Sequence, residues 1–137
     1  MDRLRSFSRE SQLAVPEPLA VALASTDPAN PYGAALPWPA SDGGHRPGRK
    51  AGALVVMIDG ELVLYVERGG KTLLTYTDDA ETLLLAAAAL VDIIRRGAAE
   101  KLAVEKANGI DVLDTPVATA LLAAGFYSTP KGLRYRV

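Results

Sequence analysis

The residue types that do chemistry are thinly spread in this chain, and their spacing favours recognition over catalysis. There is no cysteine, and the single histidine is His45. That removes a cysteine nucleophile, a thiolate zinc site and any multi-histidine metal centre. His45 stands alone in a Gly-rich stretch, so no Ser-His-Asp arrangement is expected around it. Gly43-Gly44 and Gly69-Gly70 are not followed by Gly-Lys-Ser/Thr, and neither opens a helix after a strand, so neither reads as a phosphate loop. Asp78 and Asp79 are paired acids at the start of a predicted helix, and Asp59 precedes a glycine between two apolar runs. Capping and turn geometry account for all three. No catalytic residue and no metal ligand is assigned.

Aromatic and basic residues are more informative. Thr26 to Pro39 reads TDPANPYGAALPWP, a stiff proline-rich segment with Tyr32 and Trp38 as large anchors. Two readings stand: the segment wraps the core and buries both rings, or the rings stack on a base or on a partner's side chains. Arg46, Arg49 and Lys50 follow, placed either to contact phosphates or simply to be solvated. A second basic set, Lys131, Arg134 and Arg136, lies near the C-terminus. Arg134 and Arg136 share one strand face, opposite Leu133 and Tyr135. That face either meets a partner or carries charge that discourages edge pairing. The candidate nucleic-acid residues are Tyr32, Trp38, Arg46, Arg49, Lys50, Arg134 and Arg136.

These residues must be positioned by a chain of 137 residues, 49% apolar and 23% charged, which fits one folded unit. The formal charge of −1 argues against strong autonomous DNA binding, because phosphate neutralisation supplies most non-specific affinity. Prolines at 16, 18, 28, 31, 37, 39 and 47 predict an irregular Pro-rich arm over residues 1–50, with a short helix across Glu17–Ala24. Residues 41–50 read as a loop. A compact α+β domain is expected over 51–137. Asp59-Gly60 and Gly69-Gly70 separate three apolar runs, Ala53–Ile58, Glu61–Arg68 and Lys71–Thr77, and predict a three-stranded antiparallel meander. The continuous run Ala53–Ile58 predicts cover on both faces.

A helix follows, with Asp78 as cap, Glu81 reaching back, and Gly97 as the stop. Its core stripe is Leu83, Leu84, Ala87, Leu90, Val91 and Ile94. A second stripe, Leu85, Ala89 and Ile93, predicts a face for a partner. Lys101–Lys106 alternates as a strand and Asn108-Gly109 marks a turn. Thr115-Pro116 opens a second helix carrying Val117, Ala118, Leu121 and Leu122, which stops at Gly125. Phe126-Tyr127 and Leu133–Val137 are strands. The predicted order is βββαβαβ(β), the meander extended into a curved, barrel-like sheet with two helices. The N-terminal MDRLRSFSRESQ lacks a signal-peptide core, and the apolar run Leu83–Val91 is far short of a bilayer span, so a cytoplasmic location without a membrane is expected.

The strings TDPANPYGAALPWP, AGALVVMIDGELVLYVERGGKTLLTY and GFYSTPKGLRYRV together resemble the C-terminal region of the bacterial large helicase-related (Lhr) family of superfamily 2 DNA helicases. The resemblance covers nearly everything from about Ala24 onward. It implies an upstream core that hydrolyses ATP with magnesium and moves 3′ to 5′ along DNA in repair. It also implies winged-helix and β-barrel-like modules in the C-terminal half, and partners among those domains, DNA or a second copy. None of the nucleotide-binding motifs occurs here, so ATP hydrolysis is not assigned to this chain. The resemblance further implies a uracil-DNA glycosylase in this half that depends on an aspartate near the C-terminus. This chain has no acid after Asp114, and the role is transferred to neither Asp114 nor Asp111. Three readings follow: a non-catalytic accessory module, part of a glycosylase site, or a weak single-strand DNA-binding module.

Overall fold

Two tight turns set the topology. In the computed structural model, which describes residues 19–39, 47–99 and 101–136, Asp59 and Gly60 both take positive φ (52° and 85°), as do Gly69 and Gly70 (81° and 85°). Turns of this hand match the twist of the strands they join. They fold β2 (Leu54–Ile58), β3 (Glu61–Val66) and β4 (Thr72–Thr75) into the expected meander. Asn108-Gly109 (54° and 85°) repeats the device between β6 (Lys106–Ala107) and β7 (Ile110–Asp111). The Asn108 side chain accepts from the Thr75 amide at 2.9 Å and donates to Thr75 Oγ1 at 2.7 Å. This pins the small hairpin to β4, which pairs with β6 in parallel.

The N-terminal segment departs from expectation. Ala20–Ala24 is a strand, β1, and not part of a helix; it pairs antiparallel with β2 from Ala20–Ile58 to Ala24–Leu54. Alanine favours helix locally, but β2 presents a free row of amides and carbonyls, and pairing with it outweighs that weak propensity. The arm thus supplies the edge strand of a six-stranded sheet, ordered β1-β2-β3-β4-β6-β7. The sheet does not close into a barrel.

Both faces of its central strands are covered. Helix α1 (Ala80–Ile93) buries Leu83, Ala86, Ala87, Leu90 and Val91, joined by Ile94, against Leu54, Val56, Leu64, Val66 and Leu73. It also packs on α2 (Pro116–Ala124), which turns in Val117, Ala118, Ala120 and Leu121. On the other face, Ala53, Val55, Met57, Leu62, Tyr65 and Leu74 pack with Tyr32, Leu23 and Trp38 of the arm. Leu84 and Leu122, expected in the core stripes, are 43% and 46% exposed. Each sits at the margin of its helix's buried arc.

The cap of α1 lies one residue later than expected, at Asp79 and not Asp78. The Asp79 carboxylate accepts from the Thr82 amide at 2.9 Å and from Thr82 Oγ1 at 2.7 Å, and these bonds hold it below the ordinary carboxylate range. The acceptor for the cap amide that was expected of Glu81 is Thr77, whose Oγ1 accepts from the Asp79 amide at 3.2 Å. A wide last turn, Ile94–Ala98, ends at Gly97 with φ 106°. Thr115 precedes α2 with Pro116 in its first turn, and Gly125 closes it in the left-handed conformation.

The last strands build a second sheet that the linear order did not separate from the first. β5 (Lys101–Val104), β8 (Tyr127–Thr129) and β9 (Gly132–Arg136) pair antiparallel in the order β5-β9-β8. Leu102, Val104 and Leu133 point into the core beneath.

Candidate nucleic-acid interface

Two regions bring aromatic and basic side chains together. The first is the arm. Its irregular backbone leaves carbonyls without ladder partners, and such groups need donors when water is excluded. Arg49 supplies them. Nη1 donates to Asn30 O at 2.8 Å and Tyr32 O at 2.9 Å, and Nη2 to Asp27 O at 3.0 Å and Thr26 O at 3.4 Å. The buried Asn30 side chain donates to Ser25 O at 2.8 Å and accepts from the Tyr32 amide at 3.0 Å.

Tyr32 is only 8% exposed. Its hydroxyl donates to Gly60 O at 3.0 Å and accepts from the Leu62 amide at 3.1 Å, tying the arm to the β2–β3 turn. Tyr32 stacks on Trp38 with centroids 6.0 Å apart, and Trp38 meets Tyr65 edge-on at 5.7 Å. Gly33, with φ 81°, leaves room for the indole: a Cβ there would lie 2.6 Å from Trp38 Nε1. Tyr65 donates its hydroxyl to Gly48 O at 3.2 Å, and burial pushes its phenol above the ordinary value. Tyr32, Trp38 and Arg49 are thus brought together facing inward, which is the core-wrapping arrangement. Lys50 is exposed, its amide held by Ser25 Oγ at 3.1 Å. Arg46 and His45 lie outside the described residues.

The second region is the outer face of the three-stranded sheet. Register places Lys101 opposite Arg136 and Ala103 opposite Arg134, with Tyr127 opposite Arg134 on the far side. Alternate strand residues point to opposite faces, so these five share the face turned away from Leu102, Val104 and Leu133. Lys101, Arg134 and Arg136 are exposed, and their side chains have no ion-pair or hydrogen-bond partner among the described residues. Tyr127 is 50% exposed. Arg134 and Arg136 were anticipated from alternation. Tyr127 was not, although a two-residue turn at Pro130-Lys131 is enough to place it opposite Arg134. Lys101 was missed because its pairing partner lies more than thirty residues away in the chain.

Beside this row opens a cleft of about 460 Å³, with Ala103, Glu105, Lys131, Gly132 and Arg134 in its lining. The hairpin that shapes it is pinned from within: Thr129 Oγ1 donates to Gly132 O and accepts from the Gly132 amide, both at 3.2 Å. Gly132 is required there, since with φ 153° any Cβ would run into the Val104 carbonyl of β5.

The remaining candidates lie elsewhere. On α1, Leu85 is 38% exposed, while Ala89 and Ile93 are half-buried against the core. Asp111 accepts from the Leu113 amide at 3.0 Å, capping the short turn Val112–Asp114, and Asp114 is exposed; neither lines the cleft. No group of three or more metal-ligating side chains occurs among the described residues. No helix there is long and apolar enough to cross a membrane.

No family model matches the chain. Over 99% of its length it is 51% identical to the Lhr helicase/probable uracil glycosylase of Mycolicibacterium smegmatis. Over 97% of its length it is 40% identical to the Lhr helicase/uracil glycosylase of Escherichia coli. The chain spans about a tenth of the length of these relatives, 10% and 9% respectively.

Proposed function

We propose, on the premise that the chain belongs to the Lhr helicase family as a homologue of one segment of it, that it is a non-catalytic accessory module of an ATP-dependent DNA helicase acting in repair. In this reading, ATP hydrolysis and translocation belong to other domains. The module packs on them through the exposed leucines of α1, Leu84 and Leu85, and touches the DNA strand through the outer face of the β5-β9-β8 sheet.

The observation that carries the DNA contact is that face: three cations free of partners among the described residues, and an exposed tyrosine, in adjacent cross-strand positions. Guanidinium and ammonium groups at this spacing hold phosphates, and an accessible ring accepts the π-face of an unpaired base. The near-zero net charge fits a module that does not search for DNA alone. Tethered to a translocating core, it works at a high effective concentration and needs only modest intrinsic affinity.

Fluorescence anisotropy of labelled single-stranded DNA at graded salt tests this reading. Arg134→Ala/Arg136→Ala should weaken binding and flatten the plot of log affinity against log salt by about 0.7 per lost phosphate contact. Unchanged affinity and slope in that variant would refute the DNA contact.

A further inference from the structure

We infer that the cleft beside the basic row is a base-reading site for one unpaired guanine of a DNA strand, an inference that rests on the DNA-contact reading above. The cleft has the volume of a small-ligand site, about 460 Å³. Its lining includes two small residues, Ala103, which pairs with Arg134, and Gly132, two positions before Arg134 along β9, together with the longer Glu105, Lys131 and Arg134. Lys131 and Arg134 stand ready for phosphates. The backbone of Glu105, just after β5, is bonded to Lys71 and Val112, but its carboxylate has no hydrogen-bond or ion-pair partner among the described residues.

A carboxylate works against sequence-independent phosphate binding, because it repels the backbone its neighbours attract. It makes chemical sense in this lining if it accepts hydrogen bonds from a base, since an ionised carboxylate is acceptor-only with two oxygens. Guanine presents two adjacent donors, N1–H and the N2 amino group, which match those two oxygens. Cytosine and adenine each offer the amino group beside a ring acceptor. Thymine offers one N–H between two carbonyl oxygens that the carboxylate repels. The guanine donors lie on the Watson–Crick edge, so the base must be unpaired to be read. Thr129 does not compete for this role, because its hydroxyl is committed to the Gly132 backbone.

The test measures anisotropy with labelled oligo-dT strands carrying no substitution or a single central dG, dA or dC. The whole polypeptide is compared with its Glu105→Gln and Lys131→Ala variants, all checked for native circular dichroism. The expected result is about tenfold tighter binding to the dG strand than to dT alone, within the range for a bidentate contact. Glu105→Gln should lose that preference while binding dT at least as tightly as the wild type, because a repulsive charge is removed, and Lys131→Ala should weaken all strands equally. If the wild type binds all four strands equally, yet still loses binding in Arg134→Ala/Arg136→Ala, the guanine site is refuted and the DNA-contact face survives. If no strand binds, both fall.

Discussion

The arm and the three-stranded sheet carry the same ingredients, yet only one of them leaves those ingredients free. Tyr32, Trp38 and Arg49 lie within a short stretch of the arm; Tyr127, Arg134 and Arg136 lie within ten residues of each other near the C-terminus. In the arm no ladder satisfies the carbonyls of Thr26, Asn30 and Tyr32, so the Arg49 guanidinium is drawn in to satisfy them, adding a second bond to Asp27 O, which already accepts from the Asn30 amide. In the sheet the main chain is already paired strand to strand, so nothing in the backbone claims the arginines. The availability of a cation therefore depends on whether the surrounding backbone is already satisfied, and composition alone does not reveal that.

Substitutions can separate the two regions. The largest effect is expected at Gly132→Val, where a side chain must displace the β5 backbone at Val104. A loss of about 4 kcal/mol is expected in urea titrations. Binding to DNA should go with it, while Trp38, the chain's one tryptophan, still reports a packed arm at moderate urea. Simultaneous loss of both signals would show that the regions unfold as one unit and do not act separately. Tyr32→Ala comes next. Removing a ring this buried should cost about 3 kcal/mol by thermal or urea unfolding. Affinity for DNA, measured well below the transition, should stay within twofold of wild type.

The sharpest contrast pairs two arginines. Arg49→Met leaves several carbonyls without their charged donor and should destabilise by about 2 kcal/mol with no change in DNA affinity. Arg134→Met should do the reverse: stability within about 0.5 kcal/mol of wild type and clearly weaker binding. If both variants lose affinity together, the division between an inward arm and an outward sheet is wrong.

What was legible in the sequence was mostly local. The pairs Asp59-Gly60, Gly69-Gly70 and Asn108-Gly109 announced their turns because each demands positive φ at two successive residues, and all three show it. Gly97, Pro116 and Gly125 bounded the helices for equally local reasons. What was not legible depended on distant chain. β1 is a strand only because β2 offers it an edge, and alanine-rich sequence does not advertise that. The second sheet depends on β5 meeting β9 across the whole of α2, so Lys101 and Glu105 could not be placed near Arg134 by reading along the chain. Alternation was enough for Arg134 and Arg136. The fate of Arg49 was hidden because its partners are carbonyls, which every residue possesses.

The smallest expected change in stability, and a decisive one for the comparison, is at Tyr127. This ring is half-exposed on the edge strand β8, so Tyr127→Ala removes little packing and should shift unfolding by about 0.5 kcal/mol or less. Its effect on single-strand affinity should be larger, about 1 kcal/mol or more, because a stacked base loses its platform. Tyr127→Phe should bind as wild type does, since stacking uses the ring face and not the hydroxyl. Duplex DNA should not distinguish the three proteins, because its bases are already stacked on one another. A Tyr127→Ala variant that binds single strands as tightly as wild type would reduce the outer face to a set of phosphate contacts. The sheet would then differ from the arm only in where its charge points.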